Sequence, residues 1–208
     1  KEIKYWKAEE AKAFLKAAVG DRFYTLYQIA LSTGMRPGEV FGLQWDDVNF
    51  EGGFLSVRRS LKFRKGGGFY FPAPKTKASR RRIPLSTKVI TALKASRKSQ
   101  AEEIMKRRDI YQDLGLVFAN EIGLPMRFEN VTRRHFLPII KEAEVSRIRL
   151  YDMRHTCATL LLQDGTHPKV VQERLGHATI VQTLDTYSHV LPGLQEDAAL
   201  SLERMILG

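Results

Sequence analysis

Four polar side chains carry the chemical interest of this sequence. Tyr187, in TLDTYSHV, lies seven residues after Ile180 and three after Leu184, on one face of a helix-like segment. That spacing suits an ordinary core aromatic as well as a phenol kept for chemistry. Arg154, in YDMRHT, falls near a helix N-terminus, and His177, in RLGHAT, falls in a tight turn between helices. A lone arginine is commonly surface charge and a lone histidine commonly packs or caps, so neither decides the matter by itself. Arg36, in STGMRPGEVFGL, follows a helix-ending glycine and precedes Pro37, which pushes it out of helical geometry. Its guanidinium then projects near the free amides of the next helix, and an anion there would meet both.

The elements that must position these residues can be read from apolar spacing and from breakers. Residues 7 to 33 read as two helices, with Gly34 capping the second and Pro37 opening a short third. VNFEGGFLSV reads as a hairpin about Gly52 and Gly53, and Arg81 to Leu85 as a third strand. The intervening RKGGGFYFPAPKTKASR is expected to be a loop or a long irregular hairpin. A helix capped by Ser86 should run to about Arg108, LVFAN is a candidate short strand, and Glu129 to Glu144 reads as a helix kinked at Pro138. Residues 151 to 163 predict an amphipathic helix with Met153, Cys157, Leu160 and Leu161 on one face, stopped by Gly165. Pro168 and Gly176 bracket the next helix, Thr179 with Gln182 marks a capping box for the helix carrying Tyr187, and Gln195 to Ile206 predicts a terminal amphipathic helix.

The chain has 208 residues, 43% of them hydrophobic, enough for one substantial core without disulfides. Its single cysteine, Cys157, allows no internal disulfide or cysteine metal cluster, which fits a reducing, cytoplasmic setting. No apolar run suggests a membrane partner. The net charge of +11 is unevenly spread: between Glu51 and Glu102 there are 14 lysines and arginines and no acidic residue. A stretch of one sign repels itself unless a polyanion neutralises it, so nucleic acid is the expected partner. Asp46 and Asp47 invite a metal reading, but they lack a third nearby ligand; neither a metal nor another cofactor is expected.

Arg36 in TGMRPGE, the series Arg154, His177, Tyr187, and the basic hairpin PKTKASRRRIPL together resemble the catalytic domain of the tyrosine recombinases, the phage integrase family. The likeness runs from about residue 8 to residue 190, strongest in YDMRHTCATLLLQDGTHPKVVQERLGHATIVQTLDTYSHV, and is greatest to integrases of bacteriophages and integrative mobile elements. It implies an α+β fold, mainly α-helical with a small antiparallel three-stranded β-sheet. It also implies strand cleavage and rejoining through a 3′ phosphotyrosine, with integration or excision of a mobile element as the outcome.

By that resemblance Tyr187 is the nucleophile, and Arg36 and Arg154 bracket the non-bridging phosphate oxygens, since planar guanidinium forks match phosphate and neutralise charge building in the transition state. His177 hydrogen-bonds the phosphate or aids proton transfer. A hairpin lysine protonates the leaving 5′ hydroxyl; the PKT pattern gives that role to Lys75, with Lys77 as the alternative. Tyr151 stands where the family commonly has histidine or lysine. It is expected to touch the site, but a phenol with a reference pKa of about 10 is a poor base. Glu39 would support the site, while His155 and His189 are expected to pack or cap. Arg58, Arg59, Lys77, Arg80, Arg81 and Arg82 are candidate contacts to double-stranded DNA. Residues 1–208 read as a single catalytic domain whose tail helix, 190–208, is a candidate for exchange between protomers. The N-terminal core-binding domain usual in the family is not in this chain, so it reads as part of a longer protein. A tetramer on paired sites, and a monomer or weak oligomer without DNA, would follow. The alternatives are a DNA-binding module without catalysis, a chromosome-dimer recombinase of the same family, or a type IB topoisomerase.

Overall fold

A computed structural model describes residues 3–74, 76–188 and 194–207, with backbone alone at Lys77 and at 194–198. Helix α1 (Ala8–Ala17) buries Ala11 and Phe14, and its start is tied by the Lys7 amide donating to the Glu10 carboxylate at 2.9 Å. Helix α2 (Tyr24–Thr33) ends, as the glycine predicts, in a left-handed Gly34 with φ 64°. Trp6, Phe14, Tyr27 and Phe136 form an aromatic knot with ring centroids 4.7 to 5.9 Å apart, the centre of the larger core. Trp6 also fastens the N-terminal segment to the far end of the chain. Its amide donates to Thr156 Oγ1 at 3.0 Å and its indole to the Ser146 carbonyl at 2.7 Å.

Helix α3 (Pro37–Phe41) leads through a 3-10 turn (Trp45–Asp47) into the expected antiparallel sheet of three strands, β1 (Val48–Asn49), β2 (Phe54–Val57) and β5 (Arg81–Pro84), in the order β1-β2-β5. The long basic connection contains a second, two-stranded hairpin, β3 (Lys62–Phe63) with β4 (Phe69–Tyr70), not legible among its glycines and prolines. A 3-10 turn (Lys77–Ser79) then returns the chain to β5. Helix α4 (Thr87–Lys106) begins where Ser86 predicts, its hydroxyl accepting from the Val89 amide at 3.5 Å.

Three expectations need correction. LVFAN is not a strand: only Leu116 forms a bridge, to Gln44, and Val117 donates to the Leu43 carbonyl at 2.9 Å, while its apolar side chains simply fill the core. The helix expected over Glu129 to Glu144 is divided into α5 (Phe128–Val131), a π turn (Thr132–Phe136) and α6 (Leu137–Glu142). Pro138 has no amide to donate, and the wider π turn ahead of it absorbs the lost bond without ending the rod. The segment from 151 starts as a 3-10 turn (Leu150–Asp152) before helix α7 (Met153–Gln163). That helix is not one-sided. Met153, Arg154, Thr156, Cys157, Ala158, Thr159 and Leu162 are all buried, whereas Leu160 and Leu161 are only partly so. Packed against α2 on one side and helix α8 (Pro168–Leu175) on the other, α7 is the spine of the molecule.

Beyond α8, Gly176 turns the chain at φ 70°, and Thr179 caps helix α9 (Ile180–Tyr187), accepting from the Gln182 amide at 3.4 Å. A second, smaller apolar cluster of Ala158, Leu162, Val171, Leu175 and Tyr187 joins α7, α8 and α9. The terminal helix α10 (Leu194–Ile206) leaves Leu200, Leu202, Met205 and Ile206 exposed. No described helix is long and apolar enough to cross a membrane.

Candidate active site

The site begins at the junction of α2 and α3. Gly34 stands so close to its neighbours that an added Cβ would lie 2.6 Å from Leu175 Cδ2, which brings the end of α8 against the end of α2. Two residues on, Arg36 takes an extended backbone (φ -67°, ψ 148°) ahead of Pro37. Its amide and its Nη1 both donate to the Glu39 carboxylate at 3.0 Å. Glu39 is buried, and from β5 it also receives Arg81, whose Nη2 lies 2.9 Å away. The Arg81 side chain is only 6% exposed, and its Nε donates to the Arg174 carbonyl at 2.6 Å. Arg174 in turn donates from Nη2 to the Ser32 carbonyl at 2.6 Å. One carboxylate and a relay of arginines therefore stitch α2, α3, β5 and α8 together.

Burial alone would raise the Glu39 pKa, but Arg81 and Arg36 more than offset it, and the group is held below the usual glutamate range. A carboxyl depressed in the folded state stabilises fully above its unfolded pKa of about 4.3, and that contribution is lost as pH falls through the folded value. Glu39→Gln leaves Arg81 buried without its counter-charge and should cost about 3 kcal/mol at pH 7. Urea unfolding at a series of pH values should show that deficit shrinking as the solution is taken below about pH 4.

Arg154 enters from the first turn of α7 and is 2% exposed. Its Nη1 donates to the carbonyls of Gly34 at 2.7 Å and Leu175 at 2.9 Å, so its guanidinium sits at the same α2–α8 junction that presents Arg36. Burial first, and then the nearby Arg36 charge, bring its pKa down to about 10, which leaves it cationic at neutral pH. Its Nη2 is buried and has no hydrogen-bond partner among the described residues. A buried charged donor without an acceptor is costly, and an anion oxygen placed there would satisfy it.

His177 follows the Gly176 turn, buried, with Nδ1 2.8 Å from Thr183 Oγ1. Burial and the charges of Arg154, Arg36 and Arg81 push its pKa down to about 3, so at neutral pH it is an uncharged imidazole that can offer one N–H. Tyr187 closes the group from the end of α9. It is 1% exposed, and its phenol oxygen lies 2.8 Å from His155 Nδ1. Burial raises the phenol's pKa despite the opposing Arg154 charge. Tyr151 is 39% exposed, its ring edge-on to His155 with centroids 5.4 Å apart.

Four of the six expected catalytic residues, Arg36, Arg154, His177 and Tyr187, thus converge on the ends of α2, α7, α8 and α9, with Tyr151 at the rim. Lys75 and His189 lie outside the described residues, as does the side chain of Lys77. Among the expected DNA contacts, Arg58, Arg80 and Arg82 are exposed along one shallow groove. Arg59 is instead partly buried and donates to Asp47 at 2.7 Å and to Gln44, and Arg81 is the buried partner of Glu39. The expectation that Arg81 contacts DNA is corrected by that pairing: alternation along β5 turns Arg82 out and Arg81 in, and Arg80 stands exposed just before the strand. Asp47, the other half of the suggested metal pair, is occupied by Arg59. Sequence reading missed Arg174 and Thr183 altogether, since nothing local marks a side chain whose partners are 142 and 6 residues away.

Comparison with known proteins gives the same outline. The model of the phage integrase family matches residues 4–193. A tyrosine recombinase XerC-like protein of Caldanaerobacter subterraneus is 34% identical over 217 aligned residues, covering 99% of this chain and 55% of that protein. The ICEBs1 integrase of Bacillus subtilis is 30% identical, with 99% and 56% covered. The chain therefore spans little more than half the length of these relatives. A solved structure of the Tn1549 transposon integrase with a circular intermediate DNA has a TM-score of 0.80 at 26% identity, covering 99% of this chain and 66% of that one.

Proposed function

The chain belongs to the phage integrase family, and from that premise we propose that it cleaves and rejoins double-stranded DNA at specific sites through a 3′ phosphotyrosine at Tyr187, integrating or excising a mobile element. The observation that carries the proposal is the buried Arg154 Nη2 with no acceptor, at the junction that also presents Arg36 and a neutral His177. A phosphodiester oxygen fits that vacancy in charge and in hydrogen-bonding capacity. Arg36 and Arg154 then hold the non-bridging oxygens while negative charge builds on them, and His177 adds an uncharged donor. Attack by the phenol, with loss of its proton, forms the phosphotyrosine and releases the 5′ oxygen, protonated by a lysine of the basic segment between β4 and β5, Lys75 or Lys77. Because the phosphoester energy is kept in the covalent link, the 5′ hydroxyl can reverse the step without ATP or a metal. Arg81 and Glu39 act behind the site by fixing Arg36.

The test is a nicked duplex built on the sequence that the intact protein itself retains from a randomised DNA pool. Nicking lets the cleaved fragment diffuse away and traps any covalent product. The expected result is an adduct whose nucleotide maps to tryptic peptide 175–204, in which Tyr187 is the only tyrosine. Tight retention with no adduct would instead support a DNA-binding module, the reading favoured by the near-complete burial of Tyr187.

Binding should weaken steeply with salt as phosphate counterions are released. Removing the exposed Arg80 or Arg82 should flatten the log-log salt slope by about one unit. Arg81→Ala should leave that slope unchanged while lowering the unfolding midpoint, because its charge faces Glu39 rather than DNA. Salt titrations by fluorescence anisotropy separate the two. The exposed apolar side chains of α10 suit docking on a neighbouring protomer, which would join four copies on paired sites.

A further inference from the structure

We infer that His155 is the catalytic base that takes the Tyr187 proton, through its Nδ1 atom, in place of the residue at position 151. The inference rests on the strand-cleavage reading above. Nδ1 and the phenol oxygen lie 2.8 Å apart, and this is the one hydrogen bond that the phenol makes among the described residues. His155 is set by α7 directly after Arg154, so the same buried helical turn fixes both the phosphate fork and the imidazole. The Tyr151 ring lies edge-on to the imidazole at 5.4 Å and the Tyr187 ring is tilted against it at 5.7 Å, so two aromatic rings restrict its rotation. Tyr151 makes no hydrogen bond to Tyr187 in this arrangement, and a phenol is a poor acceptor at neutral pH.

Among the described residues, the charged and titratable groups around His155 are Asp152, Arg154 and Arg149 from its own segment, Tyr151 beside it, Tyr187 from α9, and His177 from the turn before α9. Burial, opposed by Asp152 and reinforced by Arg154 and Arg149, holds the imidazole below its usual range. At neutral pH it is therefore uncharged, and with its hydrogen on Nε2 the Nδ1 lone pair is free to accept. In cleavage the phenolic proton moves from Tyr187 to Nδ1, the phenol oxygen bonds to phosphorus, and the bond from phosphorus to the 5′ oxygen breaks. The 5′ oxygen takes a proton from Lys75 or Lys77 or from water. In rejoining, the imidazolium returns its proton to the departing phenolate, with the Asp152 carboxylate nearby to favour the charged form in the interval.

The test uses the intact protein and the same nicked duplex with sulfur at the bridging 5′ position of the scissile phosphate. A thiolate leaves without an acid, so the base is the ionisation that remains. For the wild type, the rate of adduct formation should fall as the pH is lowered, with a midpoint below about 6.5, since an imidazolium cannot accept the proton. His177, held lower at about 3, is told apart by the variant at position 155, in which its own titration would persist. In His155→Asn the side-chain oxygen can still accept the phenol's hydrogen bond but cannot take its proton. Its rate should be about 100-fold lower with the acid limb gone, while KM stays within about twofold. A variant that retains the acid limb, or a rate within about threefold of wild type, overturns the assignment. If His155→Asn does not fold, the wild-type profile decides: a flat rate from about pH 4 to pH 7 also overturns it. Absence of any wild-type adduct would defeat the cleavage reading itself, and this assignment with it.

Discussion

Tyr187→Phe is expected to form no covalent adduct with the nicked duplex while binding the same duplex within about twofold of wild type. The substitution removes one oxygen and leaves the ring among Ala158, Leu162, Val171 and Leu175, so the small cluster that joins α7, α8 and α9 stays filled. The loss to folding is limited to the hydrogen bond with His155, about 1 kcal/mol. Without that oxygen there is no group on α9 placed to bond to phosphorus, because Thr183 is engaged with His177 and Thr186 with the Gln182 carbonyl. The loss should therefore reach the detection limit rather than a fraction. Gel resolution of the denatured adduct, beside anisotropy of the native complex, separates lost chemistry from lost binding. An adduct that persists in Tyr187→Phe would mean that a different nucleophile acts, and the site would have to be redrawn.

The same tyrosine shows how far local pattern reaches. Its spacing from Ile180 and Leu184 places it on the buried face of α9, where it is a core residue whose oxygen also has a polar partner in His155. Breakers were informative because they act through their own backbone. Gly34, Pro37, Pro168 and Gly176 mark the ends of α2, α3 and α8 within a residue, and those ends present Arg36 and His177. Long-range partners were not legible. The inward turn of Arg81 depends on pairing β5 with β2 and on a carboxylate 42 residues earlier, and the run RRR by itself reads as uniform surface charge. The burial of α7 on nearly every side was equally hidden. Its threonines and alanine are small enough to be covered by α2 and α8, but their low apolarity gives no period to read. The π turn at Thr132–Phe136 was likewise not legible, and it ends on Phe136, whose packing against Trp6, Phe14 and Tyr27 is set by distant parts of the chain.

Arg154→Lys should lower the rate of adduct formation about a thousandfold, although the charge is formally conserved. In the folded protein Nη1 holds the Gly34 and Leu175 carbonyls, while Nη2 is buried with no partner among the described residues and is the donor proposed for the phosphate. A single ammonium cannot occupy both ends of that fork. If it stays with the two carbonyls, the phosphate loses a charged donor, and removal of one such donor typically costs about 10² to 10³ in rate. If it swings to the phosphate, the carbonyls that join α2 to α8 lose theirs, at about 1 to 3 kcal/mol for each acceptor left buried and unpaired. Either way lysine fails where arginine serves two partners at once. The ammonium also starts from a lower intrinsic pKa, and the burial and Arg36 repulsion that bring the guanidinium down to about 10 would act on it too. The variant should thus lose the charged form at a lower pH than the wild type does, and its remaining activity should fall as the solution is made alkaline through the range in which the ammonium gives up its proton. Adduct rates for both proteins from about pH 6 to pH 10 test this, with the sign opposite to the acid limb expected from His155. A rate for Arg154→Lys within about tenfold of wild type would show that point charge alone is enough, and that the vacant Nη2 is not the phosphate's seat.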